Sequence, residues 1–564
     1  MIYIIIFVLT LIFSCGNSGG YGNHSAEDDS DDANEIYENS CDGINVIYQR
    51  PQLPENPALN VPDFYNKNYE CVPLPESENG MLVLGEGCFL GCIKVEKKLK
   101  ISGNGAENTL IRCNDNGKEA VVEVSPYAEL VLENISVSGN VRCILAAEGS
   151  KTFVEKSALS HCKKGGINIC PDETGCRADL SVTDSFIGDI DEAESGISYG
   201  ISFSNGTLNI SGSEISGLNS FGVAVWGESG EYNEINIENS IITGVYGGLR
   251  SYEGHGFYAE NSADITIKKS SVSDTAASFV FVSSESDEIS LQLVDFNAKN
   301  MLETSEEQSG VVLDGKVEAY LKKVFIENSR GNGIFSHGAL LYAEDLTIKS
   351  VFSDGICNNG FGLQLVDDSE SFIRNFSLVS AEKAGVLLDG NCSADIEDFE
   401  ILSTKSDGCS GEYGIGAAVQ NGAVLSMKNG VVSDNRESGF LVLGSEISLE
   451  NVEIKNTKLR ECMKNGECVF APDTEFAHGI SLYSSSVLRF VSVNISENHN
   501  GLNIENSEIL GYGEKEISLN GNITAVNAWN ISDFTKLEEN LANSRFCGNE
   551  SVFTADLQPV RDDF

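Results

Sequence analysis

One phrase returns along most of this chain: a glycine followed by apolar residues at alternating positions. It reads Gly166-Ile167-Asn168-Ile169, Gly200-Ile201-Ser202-Phe203, Gly222-Val223-Ala224-Val225, Gly362-Leu363-Gln364-Leu365 and Gly479-Ile480-Ser481-Leu482. Further copies start at Gly256, Gly310, Gly333, Gly385, Gly414, Gly439 and Gly501. The gap between successive glycines is often 22, 23 or 25 residues, and the longer gaps read as a unit plus an insertion, or as two units. The two Cys-x5-Cys segments, Cys170 to Cys176 and Cys462 to Cys468, fall inside two of those insertions. A period of this length marks an array in which each unit contacts its neighbours and none can bury its apolar residues alone.

Each unit holds a second alternating phrase, a short polar break and a third. Ile235-Asn236-Ile237-Glu238-Asn239-Ser240-Ile241 and Ile447-Ser448-Leu449-Glu450-Asn451-Val452-Glu453-Ile454 are examples. Alternation with β-branched residues predicts strands with one buried face. Asn suits the break because it tolerates left-handed backbone angles, and the glycine before the next strand is read the same way. Three short strands per unit, stacked end to end, is the arithmetic of a parallel β-helix of about fifteen coils. A propeller would need four-stranded blades of about 40 to 50 residues, so the observed spacing disfavours it.

The early segment Met81-Leu82-Val83-Leu84-Gly85-Glu86-Gly87-Cys88-Phe89, with Ile93-Lys94-Val95 and Leu99-Lys100-Ile101-Ser102-Gly103, is similar to the first coils of right-handed parallel β-helix proteins of the pectin-lyase-like superfamily. The resemblance covers residues 80–525 and implies an all-β, single-stranded right-handed parallel β-helix with capped ends. Residues 41–79 are expected to cap one end. Residues 526–564 are expected to cap the other, with Phe534, Leu537 and Leu541 at helical spacing.

The first residues, Met1 to Phe13, form an almost unbroken apolar run, too short to span a bilayer, which reads as a signal peptide over 1–14. The ending Ile12-Phe13-Ser14-Cys15 resembles a bacterial lipobox, and that resemblance implies a lipidated Cys15 anchored to an outer membrane or cell surface. Phe13 is bulky for its place, and no Lys or Arg precedes Arg50. Residues 15–40 carry seven acidic and no basic side chains, which predicts an extended tether.

The chain has 564 residues and a net charge of −48. With 41% hydrophobic residues it is too apolar to be a disordered polyanion. Its acidity excludes nucleic acid as a partner and argues against unaided binding of a polyuronate. The tether takes seven of those negative charges and leaves 41 on the body.

Sixteen cysteines in an exported chain predict disulfides. The expected closures are Cys170 with Cys176, Cys462 with Cys468, Cys41 with Cys71, Cys88 with Cys92, and Cys392 with Cys409, with Cys547 left free. No CxxC occurs and the histidines do not cluster near Cys, so no metal site is expected. No cofactor is expected either, Ca²⁺ being the one cation that scattered Asp side chains could hold loosely.

Gly254-His255-Gly256 matches the Gly-His-Gly of polygalacturonase-like hydrolases, but His255 fills the place before the repeat glycine that Tyr199, Phe221, Asn332, Ala384 and Tyr413 fill elsewhere. It therefore reads as a turn residue. That family's Asn-Thr-Asp and Arg-Ile-Lys are missing, as is the Arg-x-Pro-x-x-Arg of pectate lyases, so the resemblance carries no catalytic residue over.

The residue four on from each repeat glycine gives an outward column that includes Trp226, Tyr252, Glu260, Asp314, His337, Val366 and Asp389. Asp314 and His337 are expected to stack on neighbouring coils about 4.8 Å apart, within reach of an acid–base pair. Asp314 and Asp389 are expected about 14 Å apart, too far for either glycosidase geometry. Aromatic residues crowd the early part of the column, and Trp226, Arg250, Tyr252, His255 and Tyr258 are the candidate ligand-binding residues. The sequence thus predicts a lipid-anchored surface scaffold that binds carbohydrate or a cell-surface protein without catalysis. The alternative is a polysaccharide lyase or glycoside hydrolase using Asp314 and His337.

Overall fold

The structure is a computed structural model. It describes residues 70–554 apart from 116, 171–175, 191–197, 228–231, 248–252, 262, 303–307, 355–357, 409–412, 460–476, 512–516, 532–536, 538–540, 542–544, 548 and 550. The described residues lie in one compact unit, Leu53–Asp556.

Before the last coil, each coil contributes a strand to each of three faces, and every pairing between named strands is parallel. On the glycine face the register runs Ile201↔Val223, Val223↔Phe257, Val311↔Ile334, Ile334↔Leu363 and Leu363↔Val386. On the second face, Ile237, Ile267, Leu293, Leu321 and Ala343 stack in turn. On the third, Ile242, Val272, Ala298, Ile326 and Ile348 do the same. The inward members of all three faces form one continuous core from Leu82 to Leu541. The chain is a right-handed parallel β-helix, the hand that parallel crossover connections overwhelmingly take.

The array is longer than the glycine phrases imply. Its glycine face begins at Ile93–Val95 and ends at Ser551–Thr554, eighteen strands in one ladder rather than about fifteen. Ala120–Val124, Arg142–Ala146 and Thr524–Trp529 belong to the same face without the phrase, so counting phrases misses them. Parallel pairing also crosses residue 525, because Thr524–Trp529 pairs with Asn500–Glu505 and then with Ser551–Thr554. Leu537 and Leu541 are helical and buried at that end of the core.

The repeat glycine has a different cause from the left-handed angle expected of it. A Cβ on Gly222 would lie 2.4 Å from the carbonyl oxygen of Gly256 and 2.5 Å from Ile242 Cγ2. At Gly333 the same clash arises, 2.4 Å from the oxygen of Gly362 and 2.7 Å from Ile348 Cγ2. The glycines stack at a corner where the third face leaves no room for a side chain. One phrase was also placed two residues early: Ala384 pairs with Ile415, so Gly416 rather than Gly414 is the stacked glycine and Ile415, not Tyr413, precedes it.

The breaks between second and third faces do require left-handed backbone. Asn239, Asn375, Asn429 and Asn451 have φ of 50°, 53°, 56° and 54°, and Lys269 and Lys323 take the same angle on other coils. Asn375 Nδ2 donates to Asp345 Oδ1 at 2.9 Å and Asn451 Nδ2 to Asn429 Oδ1 at 3.0 Å, which ties successive bends together. In the same bend, one residue after each left-handed residue, a buried serine column satisfies backbone N–H groups that the ladders leave over. Each serine amide donates to the hydroxyl of the next coil's serine, Ser157 to Ser185 at 3.1 Å and Ser213 to Ser240 at 3.2 Å.

Disulfides join Cys71–Cys88, Cys92–Cys113, Cys143–Cys162 and Cys170–Cys176. Three of the expected closures are corrected: Cys71 bonds Cys88 rather than Cys41, Cys88 does not bond Cys92, and Cys392 is a free buried thiol. Residues one coil apart are spatial neighbours, so separations of 17, 19 and 21 close where a separation of four does not. Burial pushes the Cys392 thiol up to about 11, where it is inert. Cys547 is free and exposed, and the Cys462–Cys468 pair lies outside the described residues. Disulfides of this kind belong to an oxidising compartment outside the cytoplasm.

Candidate functional site

On each strand of the glycine face, the residue before the glycine and the residue two after it point outward. In the first half of the array both columns are largely aromatic. Tyr199, Phe221 and His255 follow one another in the first column, stacked at 5.5 and 5.8 Å between ring centroids. Ala224, Tyr258 and Phe281 follow in the second, where Tyr258 and Phe281 stack at 5.1 Å. Trp226, at the strand end, tilts onto Tyr258 at 4.9 Å.

His255 is therefore not a turn residue. It opens the strand His255–Glu260, is buried, and accepts the amide of Ser278 at Nδ1 over 3.2 Å. Its glycine neighbour forces the preceding residue outward into the aromatic column, which makes the imidazole part of a packed cluster. Tyr258 is also buried, its hydroxyl donating to Glu260. Trp226, Tyr199 and Phe281 are half-buried and form the exposed rim. Arg250 and Tyr252, the other two candidates, lie outside the described residues, as does Cys15.

The strand-end column keeps its expected register from Asp314 to Asp389, but earlier it differs: Trp226 pairs directly with Glu260, leaving no place between them for Tyr252, and Ser283 stands between Glu260 and Asp314. Trp226 pairs with Glu260, Glu260 with Ser283, Ser283 with Asp314, Asp314 with His337, His337 with Val366 and Val366 with Asp389. His337 Nδ1 and Asp314 Oδ1 are 2.7 Å apart, and Ser283 Oγ donates to the other Asp314 oxygen at 3.0 Å. The His337 hydrogen bond, followed by that of Ser283, holds the Asp314 carboxyl below its ordinary value although burial opposes it. The hydrogen bond that His337 donates to Asp314 raises the imidazole although burial opposes it, and the charges of Asp314, Asp367 and Asp368 add to the rise. The imidazole and the carboxylate thus bind each other, and the serine hydroxyl points at the carboxylate rather than at the imidazole. Asp389 is three coils away, about 14 Å along the array. Among the described residues no group of three or more His, Cys, Asp or Glu side chains is arranged to hold a metal ion.

Loops beside the glycine face are fixed by a buried polar node. Lys383 Nζ donates to the carbonyl of Asn358 at 3.1 Å, lies 5.6 Å from the Tyr413 ring centroid and faces Asp407 at 4.0 Å. Asp407 accepts from Ser353 Oγ at 3.0 Å. Next to this node, Ala384, Leu387, Ile415 and Ala418 make a small apolar patch on the outer side of the sheet.

Sequence reasoning missed a second aromatic column, on another face. Tyr320, Tyr342 and Phe372 occupy outward positions of successive second-face strands, with centroids 5.1 and 5.4 Å apart and rings 10° and 14° from parallel. They floor a groove of about 680 Å³. Two residues on, an outward column alternates in sign through Lys322, Glu344, Arg374, Glu397, Lys428 and Glu450. The signal was present in the second phrase of each unit, but only with the inter-coil register does it become a column.

Residues 255–470 match the family model described as a right handed beta helix region. No curated protein matches the chain. Among solved structures, the chain is similar to the catalytic unit of a thermostable GH87 alpha-1,3-glucanase from Streptomyces thermodiastaticus strain HF3-3. The identity is 8% and the TM-score 0.22, over 87% of this chain and 68% of that one. It is also similar to ORF18 of Geobacillus virus E2, at 10% identity and a TM-score of 0.17, over 59% of this chain and 54% of that one.

Proposed function

We propose that the protein is an exported, lipid-anchored β-helix that presents a non-catalytic binding surface to carbohydrate or to a cell-surface protein. The observation that carries this reading is the aromatic cluster on the outer side of the glycine face, with Trp226 at its rim. Half-exposed rings on a rigid sheet offer apolar area with little ordering cost, which suits recognition of sugar faces or protein side chains. In the strand-end column Asp314 and His337 bind each other, Glu260 accepts from Tyr258 and Asp389 accepts from Asn421, which supports a column of locally bonded groups over one aimed at a substrate. Cys15 would hold the chain at an outer membrane or cell surface, with the acidic tether as spacer.

A glycan array, run beside assays for reducing ends and unsaturated products, tests the reading. Binding that weakens in Trp226→Ala, without turnover, supports it; turnover lost in Asp314→Asn or His337→Gln overturns it. Incorporation of labelled fatty acid that disappears in Cys15→Ser tests the anchor.

The 2.7 Å contact between His337 and Asp314 favours one second reading, a lyase or hydrolase in which this pair moves a proton. The same turnover assays decide between the two.

A further inference from the structure

We infer that the groove floored by Tyr320, Tyr342 and Phe372 binds a linear, uncharged polysaccharide laid along the axis of the coils. The site is on the second face, separate from the Trp226 cluster, and stands whether or not that cluster binds anything.

Three features select this ligand. First, the rings repeat once per coil, at 5.1 and 5.4 Å, and Tyr320 and Phe372 are 42% and 39% exposed. A ladder with a rise of about 4.8 Å per coil is commensurate with the repeat of an extended pyranoside chain, so successive sugars meet successive rings. Tyr320 is held in place by its hydroxyl, which donates to Glu318.

Second, the charged side chains two residues on from the rings pair with one another, and Asp395, beside Phe372, leaves the lining one net negative charge. Lys322 and Glu344 are 2.6 Å apart, and Arg374 and Glu397 are 3.4 Å apart. An apolar floor flanked by paired charges and one extra carboxylate, Asp395, fits sugar hydroxyls and repels a polyanion.

Third, the other occupants are disfavoured. A chain of net charge −48 repels polyanions and further copies of itself. The groove lies on the face of a sheet whose strands are already paired on both sides, so a peptide cannot add to it as a strand.

The test uses the purified full chain and calorimetric titration with neutral linear hexasaccharides of β-1,4-linked glucose, xylose and mannose, and with hexagalacturonate as the charged comparison. At least one neutral probe is expected to bind with little dependence on salt, and hexagalacturonate is not. Tyr320→Ala, Tyr342→Ala and Phe372→Ala are each expected to weaken binding roughly three- to tenfold. Tyr342→Phe should retain it and so control for folding, and Trp226→Ala should leave it unchanged. The inference is overturned if no neutral probe binds at millimolar concentration, if the three alanine variants bind like the parent, or if binding follows Trp226 instead. Sedimentation showing a dimer that Tyr342→Ala dissociates would assign the groove to a second copy and overturn it too.

Discussion

His337 Nδ1 sits 2.7 Å from Asp314 Oδ1, on the next coil and in direct register, with the two side chains 47% and 40% exposed. The contact raises the imidazole above its ordinary value of 6.5 and holds the carboxyl below 3.8. The stabilisation from the histidine is therefore complete below about pH 6.5 and is lost as pH rises through its elevated folded value. The part from the aspartate is present above its ordinary value and is lost as pH falls through its depressed folded value. Both groups are well exposed, so solvent screening limits the pair to about 1 kcal/mol or less. NMR titration of the His337 ring should give a midpoint above 6.5 that Asp314→Asn brings back down. An unchanged midpoint in that variant would show that Asp314 is not what raises the histidine.

Gly222→Ala should destabilise the array by about 1–3 kcal/mol, because the added methyl meets the backbone oxygen of Gly256, which cannot rotate away. Gly85→Ala, whose Cβ meets nothing within 4 Å, is the comparison and should lie within about 0.5 kcal/mol of the parent. Urea denaturation of the two variants checks this. Equal losses would show that the phrase glycine is not set by crowding at the corner.

The four described disulfides all lie between Cys71 and Cys176. A closed loop of this size contributes about 3 kcal/mol, and in a stacked array such contributions act on the coils they join. Reduction should therefore raise amide exchange over residues 71–190 while coils beyond Gly200 keep their protection. Uniform loss along the chain would contradict this local action.

Asp407→Ala should cost roughly 3 kcal/mol, since it removes the carboxylate that faces the buried ammonium of Lys383. Asp407→Asn keeps an acceptor for Ser353 Oγ and should lose less. Thermal unfolding of both variants orders them. An alanine variant as stable as the parent would mean that Asp407 is not needed to hold Lys383.

The fold was legible because the apolar alternation and the glycine spacing are local signals with a fixed period. What one coil does to the next was harder to read. Gly414 and Gly416 have the same parity in an alternating strand, so the pattern could not choose between them, whereas packing against Gly439 and Val432 does. The cysteine pairs were assigned by closeness in sequence, yet Cys92 meets Cys113 because 21 residues complete a coil. The strand-end column was correct through Asp314 and His337 because counting from the glycine is counting in register. Tyr320, Tyr342 and Phe372 stand ten, nine and ten residues after Gly310, Gly333 and Gly362, and the one-residue slip at Tyr342, which reverses the parity of its strand against its neighbours, hides their alignment in the sequence.

The alternating column from Lys322 to Glu450 makes the array sensitive to parity. Removing a single whole coil, such as the one that carries Glu344, would bring Lys322 against Arg374 and set like charges face to face at the new junction. Removing two consecutive coils restores opposite signs. Along this stretch, lengthening or shortening the molecule by coil duplication or loss is electrostatically neutral only in steps of two.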